Sequence, residues 1–252
     1  MADYDDLFEI MKNMRAMRRL HPDPVPDELI RKILLAGSCA PNGGNTQRWR
    51  FLVIKDTKIK QAVQVWYKKA FDEVVGPRYL KSTPPPGVSR EQYNRQHAAV
   101  EYLTDHFHEA PVWIVACLEE GAAQPTRGSG ASIYPAVQNM LLAARALGLG
   151  ATLTTRHLLY EKEAEAALGL PPGVRSYAIL PIGYPMGKFG PVGRAPPRPR
   201  PPRTREPRVD APPRSPRSRA RRRRARRPRR ARRIPPNSAP ATRPALGPAS
   251  HP

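Results

Sequence analysis

A small polar loop has the residue types and spacing in this chain that best suit ligand chemistry. Residues 38–50 read Ser-Cys-Ala-Pro-Asn-Gly-Gly-Asn-Thr-Gln-Arg-Trp-Arg, between an amphipathic helix pattern and an apolar strand pattern. A loop of this kind lets backbone amides approach a flat or phosphorylated ligand. Taken alone, however, Pro-Asn-Gly-Gly-Asn at residues 41–45 is also typical of an ordinary turn, so its interpretation depends on the rest of the chain.

Two basic segments favour the ligand interpretation. The run Met-Arg-Ala-Met-Arg-Arg-Leu-His-Pro near the N-terminus places three arginines within five residues, at Arg15, Arg18 and Arg19. After the last strand pattern, a glycine-rich segment that begins Gly-Tyr-Pro brings Lys188 and Arg194. An isolated arginine is typical of a solvated surface side chain, but several together can bind a phosphate group.

In their order and separations, these segments resemble the nitroreductase superfamily of FMN-dependent oxidoreductases. The family pattern is Arg-x-x-x-Arg/Lys, then Ala-Pro-Ser-x-x-Asn-x-Gln-Pro-Trp-x-Phe, a Gly-Leu-Gly helix exit, and Gly-x-Pro followed by basic residues. The resemblance covers about residues 5–194. Met17, Asn42 and Arg48 stand where the family usually has Ser, Ser and Pro, so FMN binding is expected while the substrate stays open.

The resemblance implies a role for the basic residues. FMN carries a phosphate dianion, and its ring gains negative charge on reduction, so a protein that binds it needs cations at both ends of the ligand. Arg15 and Arg194 are expected to bind the phosphate, with Lys188 as a weaker candidate. Arg19 is expected near the pyrimidine edge of the ring.

The resemblance also implies a homodimer, because FMN lies at the subunit interface in the family and the polar loop comes from the partner. The residues expected to contact FMN across the dimer are Pro41, Asn42, Gly43 and Asn45. The residues expected to line the other side of the ring are Leu153, Thr154 and Thr155. The threonines of that segment are equally compatible with ordinary strand positions.

The implied activity is hydride transfer from NAD(P)H, through FMN, to an electron-poor small molecule such as a nitroaromatic, a quinone or an unsaturated compound. Reductive dehalogenation and flavin fragmentation are alternatives within the same family. Hydride transfer through a flavin needs no protein nucleophile, so no catalytic side chain is expected. A degraded family member with little activity is a further alternative.

A metal site and a dinucleotide fingerprint are not expected. The spacings between His97, His106 and His108 are nine and two, so the side chains do not converge on one helix face as metal ligands would. The Gly-Leu-Gly step at residues 148–150 lacks the third glycine and the preceding strand of a dinucleotide-binding motif.

The positive charge is concentrated at the C-terminus. Residues 195–252 contain 19 arginines, two acidic residues and 16 of the 32 prolines, and carry +17 of the formal net charge of +22. This tail has no aromatic residue, so we expect it to be disordered and separate from a folded domain over residues 1–194. It is either an arm that binds nucleic acid or another polyanion, an alternative function in its own right, or an extension read out of frame and never selected.

Cysteine usage and hydropathy indicate the expected compartment. The two cysteines, Cys39 and Cys117, fall in a helix end and a buried strand pattern, so no disulfide is expected. The N-terminus opens acidic and no apolar run approaches the length of a membrane span. We therefore expect a cytoplasmic protein without a membrane partner.

The predicted elements form an α+β fold, a nitroreductase-like central sheet flanked by helices. Helices are predicted over residues 3–14, 26–37, 57–75, 91–108 and 161–168, and strands over residues 49–54, 111–118 and 174–183. The proline-rich residues 76–90 are predicted to break regular structure, and Ser132 is predicted to cap a long buried helix that Gly148 ends.

Overall fold

The computed structural model describes residues 7–194. The helices are α1 (Leu7–Asn13), α2 (Asp27–Ser38), α3 (Thr57–Ala70), α4 (Gly76–Lys81), α5 (Arg90–Asp105), α6 (Arg127–Ala146) and α7 (Glu161–Leu168). The strands are β1 (Trp49–Ile54), β2 (Val112–Glu119), β3 (Gly150–Ala151) and β4 (Val174–Gly183). The prediction of a disordered, polyanion-binding arm over residues 195–252 lies outside the described residues.

The four strands form one antiparallel sheet in the order β1-β2-β4-β3. Strands β2 and β4 are apolar and buried on both faces, because helices cover the sheet on its two sides. One apolar cluster packs α2 and α6 against one face, around Ile114 and Met140. A second cluster packs α3 and α5 against the other face, around Tyr67 and Trp113. The predicted α+β architecture is confirmed.

Helix α6 is the buried helix of the first cluster, but it begins earlier than the sequence predicts. Thr126 and Ser129 form a reciprocal capping box at its N-terminus, with the Thr126 side chain accepting from the Ser129 backbone N–H at 3.1 Å. The prediction that Ser132 caps this helix is wrong, because Ser132 lies inside it. Its hydroxyl instead accepts a hydrogen bond from the backbone N–H of Gly43 at 3.1 Å.

The segment after α3 also differs from its prediction. Residues 57–70 are α-helical as expected, and a π-helical turn over Phe71–Val75 leads into α4, so the predicted break at Gly76 is wrong. Gly76 has helical angles, with φ −57° and ψ −51°, and Pro77 occupies the first turn of α4, where a proline needs no hydrogen-bonded N–H. The irregular connection shortens to residues 82–89.

Backbone hydrogen bonds join the arginine-rich segment to β3 and to the residue that follows β4. Met17 donates to Ala151 at 3.0 Å, and His21 donates to Tyr184 at 2.8 Å. Gly150 makes this approach possible, because an added Cβ would lie 2.8 Å from the Leu20 side chain and 2.9 Å from Met17 Cβ. Gly150 therefore lets β3 pack closely against Met17 and Leu20, which flank Arg18 and Arg19 in sequence.

No helix within residues 7–194 is long and apolar enough to cross a membrane.

Candidate functional site

Two adjoining cavities lie beside the arginine-rich segment. The larger one, the Arg194 cavity, has a volume of about 810 Å³. Its cationic side chains are Arg15 and Arg18 from the N-terminal segment and Arg194 from the end of the described chain, with His97 of α5 beside them. Residues that are 179 positions apart in sequence thus face one space.

Contacts between the segments that carry Arg15 and Arg194 help to bring both arginines to this cavity. Val192 donates a hydrogen bond to the carbonyl of Lys12 at 2.9 Å, which ties the C-terminal segment to the end of α1. Gly190 lies next to Arg15, since a Cβ at that position would be 3.9 Å from the guanidinium Nη1. The two segments that supply the phosphate-binding candidates are therefore neighbours, as the resemblance implies.

The smaller cavity, the Arg156 cavity, has a volume of about 480 Å³. The extended segment that follows β3 lines it with Leu153, Thr154 and Thr155. Thr154 is fixed in place because its backbone N–H and carbonyl both pair with Ile179, at 3.0 and 2.9 Å. The hydroxyl groups of Thr154 and Tyr67 lie 3.0 Å apart, which joins this segment to α3.

Arg156 is held in the wall of this cavity by aromatic and hydroxyl groups. Its guanidinium carbon lies 4.4 Å from the ring centre of Tyr67 and 4.9 Å from that of Phe71, within the range of cation–π contacts. It also donates a hydrogen bond to Oγ1 of Thr104. Burial lowers the pKa of Arg156, and the positive charge of Arg18 lowers it further.

Arg18 connects the two cavities. Together with Tyr79 and Val100 it lines both of them. Burial lowers the pKa of Arg18 as well, and Arg15 adds to this effect. Within the described chain, neither cavity has an aspartate or glutamate in its lining, so the positive charges there have no acidic partner. An anionic ligand suits this site, because it supplies the missing negative charge.

The polar loop of residues 41–47 lies elsewhere on the chain. The Asn42 side chain closes the loop, because it accepts a hydrogen bond from the backbone N–H of Gln47 at 2.9 Å. Asn45 and Gln47 have positive φ angles, of 53° and 51°. Such angles are uncommon outside glycine and often mark functional turns. The predicted contacts Pro41, Asn42, Gly43 and Asn45 line neither cavity of their own chain.

Two predicted basic residues also lie outside both linings. The Arg19 guanidinium is 5.1 Å from the ring centre of Tyr102, and the side chain is exposed. Lys188 is exposed as well, in the segment between Tyr184 and Arg194. The structure therefore brings together Arg15, Arg194 and the segment of Leu153, Thr154 and Thr155, but not Arg19 or Lys188.

Sequence reasoning missed Arg18, Arg156 and Tyr67 as lining residues. Arg156 directly follows the threonine pair, and this proximity is the signal that could have found it. Tyr67 gives no such signal, because a tyrosine on the apolar face of a helix is typical of the core. Only the fold brings α3, the arginine-rich segment and residues 152–159 together around one space.

The relationship to known proteins agrees with this fold. The family model described as the nitroreductase family matches residues 11–184, more than half of the chain. The chain belongs to the nitroreductase family. An NADH dehydrogenase of Thermus thermophilus is 30% identical to it over 199 residues, which cover 72% of this chain and 88% of that protein.

Other nitroreductase-family relatives carry a different name. Iodotyrosine deiodinase 1 of Rattus norvegicus is 27% identical over 186 residues, which cover 71% of this chain and 62% of the relative. The chain thus spans about three fifths of the length of the deiodinases it matches. The crystal structure of an oxidised iodotyrosine deiodinase bound to FMN and 3-iodo-L-tyrosine superposes with a TM-score of 0.61 and 25% identity, over 77% of this chain and 98% of that one.

Proposed function

We propose that the protein is an FMN-dependent oxidoreductase that moves a hydride from NAD(P)H to an electron-poor small molecule. The observation that carries this proposal is the pair of joined cavities. Arginines from both ends of the family motif meet at one of them, and the segment of Leu153–Thr155 forms a wall of the other. FMN, when bound, supplies the hydride-transfer chemistry, and the residues of this chain bind and orient the reactants.

The Arg194 cavity fits the phosphate end of FMN. Arg15 and Arg194 present guanidinium groups, which bind phosphate oxygens through charge-assisted hydrogen bonds. The lining of this cavity, as far as the structure describes it, contains no carboxylate that would repel a dianion. We assign phosphate binding to these two arginines, with Lys188 as a peripheral contributor.

The Arg156 cavity fits the ring end. Thr154 is held at both of its backbone groups by Ile179, so a flat ligand would meet side chains on a fixed wall. Leu153 and Thr155 are more exposed and extend this wall. The separation of a polar end and a more apolar end along joined cavities matches the two ends of FMN.

A homodimer would complete the site. The loop of Pro41, Asn42, Gly43 and Asn45 lies away from the cavities of its own chain, which suits a loop that reaches FMN of a partner subunit. Arg19 is exposed in the same irregular segment as Arg18, and we place it near the pyrimidine edge of the ring in the complete site. In that position its charge would favour hydride transfer to the flavin.

The match to iodotyrosine deiodinases favours a second candidate reaction, reductive dehalogenation of a halogenated aromatic compound. This candidate shares the cofactor with the first and differs in the acceptor. Both require that the protein bind FMN, whereas only the first requires reduction of a nitroaromatic, a quinone or an unsaturated compound.

Anaerobic rapid mixing tests the proposal. The FMN-loaded protein is mixed with NADH or NADPH, and the loss of oxidised flavin absorbance is followed in time. The reduced protein is then mixed with a nitroaromatic, a quinone or a halogenated tyrosine, and recovery of the absorbance identifies the acceptor class. Flavin that neither nucleotide reduces would contradict the proposed use of NAD(P)H.

A further inference from the structure

Arg48 follows the polar loop of residues 41–47 and departs from the family pattern. It stands where the family usually has proline, directly before β1. Proline favours an extended conformation with negative φ in the residue before it, whereas Gln47 has a φ of 51°. An arginine at position 48 therefore permits the left-handed turn at the end of this loop, and it adds a charged side chain that proline lacks.

The charged side chain of Arg48 contacts the end of β2. Its Nη1 donates a hydrogen bond to the carbonyl of Glu119 at 2.8 Å and lies 3.6 Å from Oε2 of Glu120. The Arg48 carbonyl also accepts a hydrogen bond from the backbone N–H of Glu119 at 2.9 Å. Backbone and side-chain contacts thus join the end of the polar loop to the end of β2.

Glu120 is a fixed partner for this arginine. Only 4% of its side chain is exposed, and its backbone N–H donates to the Gly173 carbonyl at 2.8 Å. Its carboxylate accepts a hydrogen bond from the hydroxyl of Tyr177 on β4. Burial by itself raises the pKa of Glu120, but hydrogen bonds from Tyr177 and Ser129 and the charge of Arg48 outweigh it, so the pKa is lowered. Glu120 is therefore a buried, ionised carboxylate with Arg48 beside it.

The polar loop is fixed near both of its ends. At its start, the backbone N–H of Gly43 donates to the Ser132 hydroxyl of α6 at 3.1 Å. After its end, Arg48 contacts Glu119 and Glu120. We propose that Arg48 is a positioning residue for the polar loop: its contacts hold the loop in the conformation that binds FMN of a partner subunit, and so set the affinity for FMN. The proposal rests on the function proposed above, which places this loop at the partner's cofactor.

Arg48→Gln and Arg50→Gln are a matched pair that tests this role. Both remove one half-exposed arginine bonded to the end of β2, since Arg50 pairs with a Glu119 carboxylate oxygen at 2.6 Å. Arg48→Gln should raise the Kd for FMN by about tenfold or more, the range that corresponds to one hydrogen bond to a charged group. It should also speed amide hydrogen exchange at residues 43–47. Arg50→Gln should leave the Kd within about twofold, as for an exposed ion pair.

Two further variants separate loop positioning from a loss of stability. Arg48→Gln alone leaves the buried Glu120 charge without the cation beside it, which should lower the urea midpoint. The double variant Arg48→Gln with Glu120→Gln removes that charge, so the midpoint should recover while the Kd for FMN stays raised. Arg48→Lys should recover part of the affinity, because lysine keeps a positive charge beside Glu120.

Several results would overturn the proposal. They are an unchanged Kd for FMN or unchanged exchange of the loop in Arg48→Gln, an equal rise of the Kd in Arg50→Gln, or a normal Kd in the double variant. If the protein binds no FMN, the proposed function fails, and exchange in the flavin-free protein still tests the anchor. Faster loop exchange in Arg48→Gln than in Arg50→Gln would then support the positioning role of Arg48, and equal exchange would overturn it.

Discussion

The arginines that line the cavities differ in their partners from arginines elsewhere on the domain. Arg50, Arg95 and Arg175 each lie within 2.6 Å of a glutamate oxygen, as is typical of surface ion pairs. The cavity arginines that have no such partner within the described chain are Arg15, Arg18, Arg156 and Arg194. Unpaired cations in a concave site are a stronger indication of an anionic ligand than the number of arginines in the sequence.

Arg194→Gln should weaken FMN binding, because it removes one charge-assisted hydrogen bond from the phosphate. The Kd for FMN, measured by quenching of flavin fluorescence, should rise by about 10- to 100-fold. The rate of flavin reduction at saturating FMN should change much less, since the phosphate is equally charged before and after hydride transfer. An unchanged Kd, with Arg95→Gln as the matched control, would remove Arg194 from the site.

Arg19→Ala should change the rate of flavin reduction more than the Kd for FMN, the reverse of Arg194→Gln. A cation near the pyrimidine edge interacts with charge that develops during hydride transfer, so its loss should slow reduction of bound flavin more than it weakens FMN binding. Rapid mixing with NAD(P)H measures the first quantity, and fluorescence titration measures the second. Equal effects on the reduction rate and on the Kd for FMN would contradict this placement. Arg19 would then stay on the ring of Tyr102 in the complete site.

His157 should make stability depend on pH in the acidic range. Burial lowers its pKa from 6.5 to about 4. Nε2 lies 3.1 Å from the Ser176 hydroxyl, and Nδ1 is buried with no hydrogen-bond partner among the described residues, so an added proton would be unpaired. Because the unfolded chain takes up this proton more readily, His157 contributes its full stability above about pH 6.5 and loses it as pH falls towards 4.

The loss corresponds to a decrease on the order of 3 kcal/mol in the free energy of unfolding. Urea denaturation at a series of pH values measures it. The same series on His157→Gln should show a flatter pH dependence, whereas His21→Gln, which alters an exposed histidine, should not. A pH dependence unaffected by His157→Gln would assign it to other groups.

Among the elements, sequence predicts best where a short-range pattern decides the structure. Strand β1, strand β4 and helix α7 have the predicted bounds, because alternating or fully apolar runs and a glycine stop fix them locally. The start of α6 was missed because Ser132 lies just before the apolar stripe, whereas the cap is the Thr126–Ser129 pair one and a half turns earlier. The helix at residues 76–81 was missed because the π-helical turn that precedes it has no clear sequence signal.

The candidate site was predictable only in part, because tertiary packing and not a short-range pattern brings some of its residues together. The motif order indicates that Arg15, Arg194 and Leu153–Thr155 belong to one site, and the structure brings them to adjoining cavities. No spacing rule connects Arg18 with Arg156 or with Tyr67. Their meeting depends on how α3 and the segment after β3 pack, which is a property of the tertiary structure.

Gly150→Ala tests how far element packing controls the site. An added Cβ would lie within 3.1 Å of atoms of Leu20, Met17 and Pro185, so the arginine-rich segment must shift. We expect a lower melting temperature together with weaker FMN binding. Gly128→Ala in the first turn of α6 is the control, because its Cβ would have ordinary contacts and alanine favours helix. Unchanged FMN binding in Gly150→Ala would show that this packing does not position the arginines.

At the scale of the whole molecule, the site and the main positive charge lie in different parts of the chain. The lining residues that the structure describes fall between Arg15 and Arg194, whereas residues 195–252 carry +17 of the net charge. Many clustered arginines favour polyanion binding that weakens steeply as salt concentration rises. FMN binding and polyanion binding should therefore be separable by truncation of the chain.

Deletion of residues 197–252 should leave the Kd for FMN within about twofold and abolish most binding to heparin or single-stranded DNA. Fluorescence titration and salt elution from heparin measure the two effects on the same preparations. Loss of FMN from the shortened protein would show that these residues contribute to the cofactor site, and retained polyanion binding would place that activity in the domain.

FMN binding is the property on which the proposed function most depends. The most direct measurement is titration of flavin-free protein with FMN and, in parallel, with FAD and with riboflavin. Quenching of flavin fluorescence reports the binding of each. We predict one FMN per chain, bound much more tightly than riboflavin, since riboflavin lacks the phosphate that Arg15 and Arg194 bind. Equal affinity for FMN and riboflavin, or no binding of either, would contradict the assignment of these cavities to the cofactor.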